Sequence, residues 1–343
     1  MGNKGISYKD SGVDLHLGDS FVDSLKTDLK QTFDENVMHG VGLFGAMYNL
    51  KQFGADQVLV SSVDGVGTKL RVAFMSGRHD TVGNDLVNHC VDDIIVQGAT
   101  PLFFMDYISF SQLEAKELKS IMTGFINGCR ENHISLIGGE TAQMPGFYQP
   151  GEYDLVGFIT GIVRKQDIIT GRNIRPGDVL LGLPSNGLHT NGYSLARKVL
   201  FEQAGLRVDT LLPEYNQTVA DVLLAVHTNY LADISRIREA VALKGMAHIT
   251  GGGIPGNLVR ILPAQTAARI RWSAIEVPPI FHIIQKHGNV ALDEMRRTFN
   301  MGIGMIIVLA PEDVDKAVSS CADLRELGRV ESLGRAGRII FSS

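Results

Sequence analysis

The chain has 343 residues, 44% hydrophobic and 20% charged, with a formal net charge of −5. That length suggests about two domains, and the balance excludes a disordered chain and a general nucleic-acid binder, which would carry a basic patch. Its three cysteines, Cys90, Cys129 and Cys321, are far apart, which excludes a disulfide framework and a four-thiolate zinc site.

Residues 1–55 are polar and glycine-punctuated, with little strand signal, and the opening MGNKGISYKD has no apolar leader core. A cytoplasmic location is expected. The longest strongly apolar run, 301–310, is too short to cross a bilayer, so no membrane partner is expected. From residue 57 onward strands and helices alternate. Short β-branched or aromatic runs predict strands over 57–63, 102–110, 134–137 and 155–163. Apolar residues at 3.6-residue spacing predict helices over 81–97 and 114–131. The polar stretch 166–178, QDIITGRNIRPGD, reads as a boundary and gives two domains, 1–170 and 171–343. Beyond it, strands are predicted over 179–183, 267–272, 303–309 and 338–341, and helices over 193–203, 220–241 and 311–326. Both halves read as mixed α/β.

There are 38 glycines, well above the usual ~7%, and such an excess marks turns or backbone that approaches a ligand. Gly40, Gly42 and Gly45 form a G-x-G-x-x-G pattern, but the preceding QTFDENVMH is no buried strand, so a dinucleotide-binding dehydrogenase is rejected. A glycine-rich segment folding over a ligand suits them better. Asp64, Gly65, Gly67, Thr68 and Lys69 end a strand with the ingredients of a phosphate site, although the spacing is not a Walker A loop. A strand-end turn with a surface lysine is an equal alternative. On the next predicted helix Asp85, Asn88, His89, Asp92 and Asp93 share one side, with no lysine or arginine among them. That face calls for a cation, and Mg²⁺ with nucleotide phosphates fits because it takes few carboxylates. Asp64, Asp93 and Glu140, the last in the glycine-flanked GGET, together suggest a metal–polyphosphate site. Asn191 is a candidate helix N-cap, and Gly251, Gly252 and Gly253 follow one predicted helix and precede another, so both segments can offer N–H groups to an anion. His189 reads as an acid/base or as a loop histidine.

The runs DGVGTKL (64–70), RHDTVGNDLV (78–87), VQGATPLFFMDY (96–107), GGETAQMPGFY (138–148), HTNGYSL (189–195) and HITGGGIPGN (248–257) resemble, in order, the phosphoribosylformylglycinamidine cyclo-ligase (AIR synthetase) family. The resemblance implies that formylglycinamidine ribonucleotide and ATP give 5-aminoimidazole ribonucleotide, ADP and phosphate. It implies a homodimer whose N-terminal sheets pair into a β-barrel, followed by a C-terminal α/β domain. It makes Asp64, Asp93 and Glu140 ligands of Mg²⁺–ATP. Gly65, Gly67, Thr68 and Lys69 become phosphate-loop residues, with Gly40, Gly42 and Gly45 in a lid. His189 and Lys69 become catalytic, and Thr190, Asn191 and Gly251–Gly253 bind the substrate. The chain departs from the family pattern at Asn88-His89, usually Ala-Met, at Asp92, usually Asn, and at Gln143, usually Glu. A selenophosphate synthetase-like or thiamine-monophosphate kinase-like enzyme, or a non-catalytic nucleotide-binding scaffold, are the alternatives.

Overall fold

The computed structural model describes Ser7, Glu35, Asn36, Met38, 46–51 and 56–342; Gly40, Gly42 and Gly45 lie outside the described residues. The first half runs β1 (Ala46–Asn49), β2 (Gln57–Gly65), α1 (Leu70–Ser76), α2 (Val82–Ile95), β3 (Thr100–Phe110), α3 (Ala115–Glu131), β4 (Ser135–Gln143) and β5 (Tyr153–Arg164). Its five strands form one sheet in the order β1-β2-β5-β3-β4, antiparallel except for β3 with β4.

The second half runs β6 (Val179–Pro184), α4 (Tyr193–Arg197), β7 (Leu211–Leu212), β8 (Gln217–Thr218), α5 (Val219–Leu223), α6 (Leu231–Ala240), β9 (Gly245–His248), α7 (Gly253–Leu258), β10 (Thr266–Arg271), α8 (Pro279–Gly288), α9 (Leu292–Thr298), β11 (Ile303–Leu309), α10 (Val314–Ser320), β12 (Arg325–Ser332) and β13 (Ile339–Ser342). Six of these strands form a mixed sheet in the order β13-β10-β12-β6-β11-β9. The mixed α/β class read from the sequence is borne out.

All of α2 is buried. It lies on the first sheet, beneath α3, and against the second half. Glycines permit that crowding: a Cβ on Gly83 would stand 2.5 Å from the Phe125 nitrogen, and one on Gly124 2.7 Å from the Asp80 oxygen. The helix face read as acidic surface is therefore interior. The other face of the five-stranded sheet is different. Val63 pairs with Phe158 and Phe158 with Met105, and all three are exposed, at 61%, 40% and 39%.

Several predicted elements need correction. The helix expected over 220–241 is two helices, α5 and α6, because backbone groups of 225–230 bond to side chains of the first half. The helix expected over 311–326 stops at Ser320, and Arg325 begins β12. A register shift between Glu326 and Gly328 disguises the period-two pattern of that strand. Strand β4 extends to Gln143, so Gly138–Thr141 lie inside a strand and do not close it. The Gly251–Gly253 segment follows strand β9, not a helix.

Candidate functional site

The turn after β2 continues through Gly67–Lys69 into α1, and the Lys69 side chain turns inward. Its ammonium meets Asp85 Oδ1 at 2.8 Å and donates to the carbonyls of Ala225 at 2.8 Å and His189 at 3.3 Å. Three acceptors use its three donors, and neither Lys69 nor Asp85 has exposed side-chain surface. Burial pulls the Lys69 ammonium down and the Asp85 carboxyl up, each opposed by its partner. The expectation that Lys69 meets phosphate is corrected: here it is an interior cation joining the two halves.

Its neighbours on α2 do the same work. Asp85 Oδ1 accepts the His227 N–H at 2.7 Å, and Asp92 Oδ1 accepts the Tyr230 N–H at 3.1 Å. The Asn88 amide donates to the His227 carbonyl at 2.8 Å. The acidic face thus has basic and N–H partners, supplied by residues far away in sequence. That overturns the reading that it lacks a cation.

A cluster of imidazoles and carboxylates continues from there. His89 Nε2 lies 2.7 Å from Asp64 Oδ2 and 3.7 Å from Asp93 Oδ2. Burial pulls the His89 imidazole down, but Asp64 and Asp93 outweigh it and hold it up at about 9. Asp64 is held below the usual carboxylate range, because His89 outweighs its burial. His89 Nδ1 bonds Thr190 Oγ1 at 2.7 Å, and His248 Nδ1 bonds Asp93 Oδ1 at 2.8 Å. His227 Nε2 faces His248 Nε2 at 3.1 Å, and the ring of His189 stacks on His227 with centroids 4.0 Å apart. Burial pushes His189 and His227 well down and lowers His248, so these three are neutral.

The predicted residues fall into groups. Gly67 and Thr68 are exposed, and Thr68 Oγ1 lies 3.0 Å from Ser194 Oγ, so the candidate phosphate loop adjoins the start of α4. Asn191 is beside Gly251, whose Cβ, if present, would stand 3.2 Å from Asn191 Oδ1. The N-cap of α4 is Gly192, not Asn191, and makes no side-chain cap bond. Gly253 has φ +60°, and a Cβ there would stand 2.0 Å from the Arg296 carbonyl oxygen, so only glycine fits. The Asn257 amide holds this loop by donating to the carbonyls of Gly253 at 2.8 Å and Gly251 at 3.2 Å.

Glu140 is not brought to Asp64 and Asp93. It pairs with Tyr107, one residue out of phase with the row Asp64, Gly157, Asp106, Gly139, and so belongs to the opposite sheet face. Three strand steps separate Glu140 from Asp64, roughly 14 Å. Asp93 has both oxygens engaged, by His248 and by Ser62 Oγ at 3.3 Å. Of Asp64, Asp92 and Asp93, Asp64 is the one that opens to solvent, with 41% of its side chain exposed. Asp64 likewise has both oxygens engaged, by the Gly65 N–H at 2.7 Å and by His89, and the three carboxylates predicted as ligands do not converge on one ion within one chain.

His227 is the residue that sequence reasoning missed. His227 lay in what read as a continuous helix. Only the buried partners of its backbone reveal that 225–230 is a loop.

Comparison with known proteins agrees with the arrangement. The N-terminal domain of the AIR synthase related proteins matches residues 44–163, and their C-terminal domain matches residues 175–339. A phosphoribosylformylglycinamidine cyclo-ligase from Myxococcus xanthus is 49% identical over 333 residues, 96% of each chain. One from Thermoanaerobacter pseudethanolicus is 46% identical over 94% of this chain and 95% of its own. Among solved structures, a thiamine monophosphate kinase from Aquifex aeolicus shares the fold with a TM-score of 0.64 at 14% identity, covering 94% of this chain and 96% of its own. The hydrogenase maturation protein HypE, in its complex with HypF, does so with a TM-score of 0.63 at 16% identity, covering 93% and 94%. With both domain models matched in order and relatives near half identical from end to end, the chain belongs to the AIR synthase related family, among its phosphoribosylformylglycinamidine cyclo-ligases.

Proposed function

We propose that the chain closes an imidazole ring, converting formylglycinamidine ribonucleotide and ATP to 5-aminoimidazole ribonucleotide, ADP and phosphate. Membership among the cyclo-ligases makes it a ligase of purine biosynthesis. One observation supports the location. Segments 64–69, 89–93, 189–194 and 248–253, from both halves of the chain, meet in one place.

The formyl amide oxygen is a poor leaving group. Transfer of the γ-phosphoryl group of ATP to that oxygen gives an imidoyl phosphate and ADP. The amidine-side nitrogen then attacks the formyl carbon, the C–O bond breaks, phosphate leaves, and the nitrogen gives up its proton. Positioning and charge neutralisation do most of the catalysis of phosphoryl transfer. Gly65, Gly67 and Thr68 face the ATP phosphates, with Gly40, Gly42 and Gly45 assigned to a lid from sequence. Asp64 holds Mg²⁺, which neutralises phosphate charge when bound. Lys69 acts at a distance, fixing the His189 carbonyl and the 225–230 loop. Thr190, Asn191 and Gly251–Gly253 receive the ribonucleotide. His189, neutral and with Nδ1 unpartnered, hydrogen-bonds the reacting amide during ring closure.

Residues 1–170 and 171–343 act as two units, the first for ATP and dimerisation. The exposed apolar row Val63, Phe158 and Met105 supports pairing of that sheet with a second copy into a β-barrel. Glu140 would then stand at the junction of two copies.

The test is ADP release measured with and without the ribonucleotide. Release that depends on formylglycinamidine ribonucleotide supports the reading. ADP release independent of it, or none at all, overturns it.

A further inference from the structure

We propose that His189, His227 and His248 form a site for a divalent transition-metal ion of the zinc type, with the carboxylate of Asp92 beside His227. One ring nitrogen from each of the three histidines lies within 4.8 Å of those of the other two. The outward nitrogen of every ring is held by an oxygen. His248 Nδ1 meets Asp93 Oδ1 at 2.8 Å, His227 Nδ1 meets Thr190 Oγ1 at 3.4 Å, and His189 Nε2 meets Thr228 Oγ1 at 3.2 Å. Metal-binding imidazoles are oriented in this way by outer oxygen partners, a carboxylate behind one of them being a common arrangement.

The remaining nitrogens are left to each other. Nε2 of His227 and Nε2 of His248 stand 3.1 Å apart, close to the spacing of two nitrogens bound ~2.0–2.1 Å from one tetrahedral ion. His189 Nδ1 is buried without a hydrogen-bond partner. Asp92 Oδ2, also buried and without a hydrogen-bond partner, lies 3.5 Å from His227 Nε2. Two orphaned polar atoms at one cluster are unusual, since buried polar groups are nearly always satisfied. A cation held by the three imidazoles takes up the His189 Nδ1 lone pair and lies on the side of His227 that Asp92 flanks.

The donor set selects the ion. Three imidazoles suit zinc, cobalt or copper, whereas Mg²⁺ prefers oxygen ligands and keeps its water. A second group, His89, Asp93 and His248, is as tight. It is the weaker candidate, because His89 Nε2 is already taken by Asp64 at 2.7 Å. Metal on His189 Nδ1 excludes the hydrogen bond to the reacting amide, so the ring-closing role belongs to the metal-free enzyme, and metal binding is read on the enzyme alone, without nucleotide.

The experiment titrates the chelator-treated full chain with Zn²⁺ against a chromophoric chelator, and with Co²⁺ followed by visible absorption. The expected result is one Zn²⁺ per chain, undiminished by excess Mg²⁺, and an intense tetrahedral Co²⁺ band. Asp92→Asn and His227→Gln, each checked for folding by circular dichroism, should weaken Zn²⁺ binding by ~10-fold or more. His89→Met should leave it unchanged. Absence of stoichiometric binding, displacement by Mg²⁺, or a weak octahedral Co²⁺ spectrum overturns the proposal. So does Zn²⁺ affinity that falls in His89→Met but not in Asp92→Asn. If His227→Gln fails to fold, Asp92→Asn and the wild-type Co²⁺ spectrum decide.

Discussion

The two faces of the five-stranded sheet reverse the usual rule of apolar inside and charged outside. The covered face carries Asp64 and meets α2, which holds Asp85, His89, Asp92 and Asp93 in the interior. The open face carries Val63, Phe158 and Met105 in contact with solvent. Each reversal has a cost that ordinary folding would remove. The covered face holds its charges because each has a partner, and for Asp85, His89, Asp92 and Asp93 one partner comes from the other half of the chain. Its polarity is therefore both the adhesive between the halves and the wall of the candidate site. The open face has no such account within one chain, and it gains one if a second copy lies against it.

The strongest way to break the contrast is to remove the cation at its centre. Lys69→Met leaves the Asp85 carboxyl buried without its ammonium partner, and strips donors from the carbonyls of His189 and Ala225. Breaking a buried pair in this way costs ~3–5 kcal/mol, a large share of the stability of a domain. Urea denaturation should show that loss. The double variant Lys69→Met, Asp85→Leu should recover part of it, because no lone buried charge remains. A single variant within ~0.5 kcal/mol of wild type would mean that the pair does not join the halves.

A second variant sharpens the division of labour within the covered face. His189→Ala should lower kcat by ~10²–10⁴, the range for one acid–base group. ATP affinity, measured by calorimetry without the ribonucleotide, should stay within a few-fold. If His189→Gln restored nearly full turnover, the side chain would be supporting the loop and not the reaction.

The covered face also predicts a pH optimum of stability. The folded pKa of His89, about 9, lies above the ordinary ~6.5. Its contribution is complete below about 6.5 and is lost as pH rises through 9. His189, His227 and His248 are shifted the other way, so folding resists their protonation and stability falls as pH drops below about 6.5. Thermal melts should therefore peak near neutrality. His89→Met should flatten the alkaline limb, which is worth up to about 3 kcal/mol at ~1.4 kcal/mol per pKa unit. An alkaline limb of unchanged slope in that variant would show that His89 is not the group responsible.

How much of this was legible follows from range. Strands β2, β3, β5, β6 and β11 were readable because their apolar runs are local. The glycine motifs were readable as motifs, and in series they named the family. What could not be read is which charges face each other. Asp85 meets Lys69 across 16 residues and the His227 amide across 142. The helical wheel placed Asp85, Asp92 and Asp93 on one side correctly, but Asp85 and Asp92 take backbone groups of a loop whose sequence looks helical, and Asp93 meets His248 from 155 residues away. Glu140 failed for a related reason. Its motif resembles that of Asp64, yet the parity of the strand pairing turns it to the opposite face, and parity depends on a register shift between Phe104 and Met105.

The open face offers the smallest change to the folded chain and the clearest separation of fold from assembly. Phe158 and Val63 are exposed, and a charge placed there is solvated in a single copy, so folding should change by no more than ~0.5 kcal/mol when measured at dilution. The same charge buried in a pairing of two sheets would have no partner on that apolar row. Phe158→Asp should therefore weaken self-association by at least ~10-fold, about 1.4 kcal/mol, while leaving circular dichroism unchanged. Light scattering across a dilution series reads the difference. A dimer mass retained in Phe158→Asp at the concentrations where wild type is dimeric would place the interface elsewhere. A monomer mass for the wild type at micromolar concentration would leave the exposed apolar row a property of the single chain, and with it the position of Glu140.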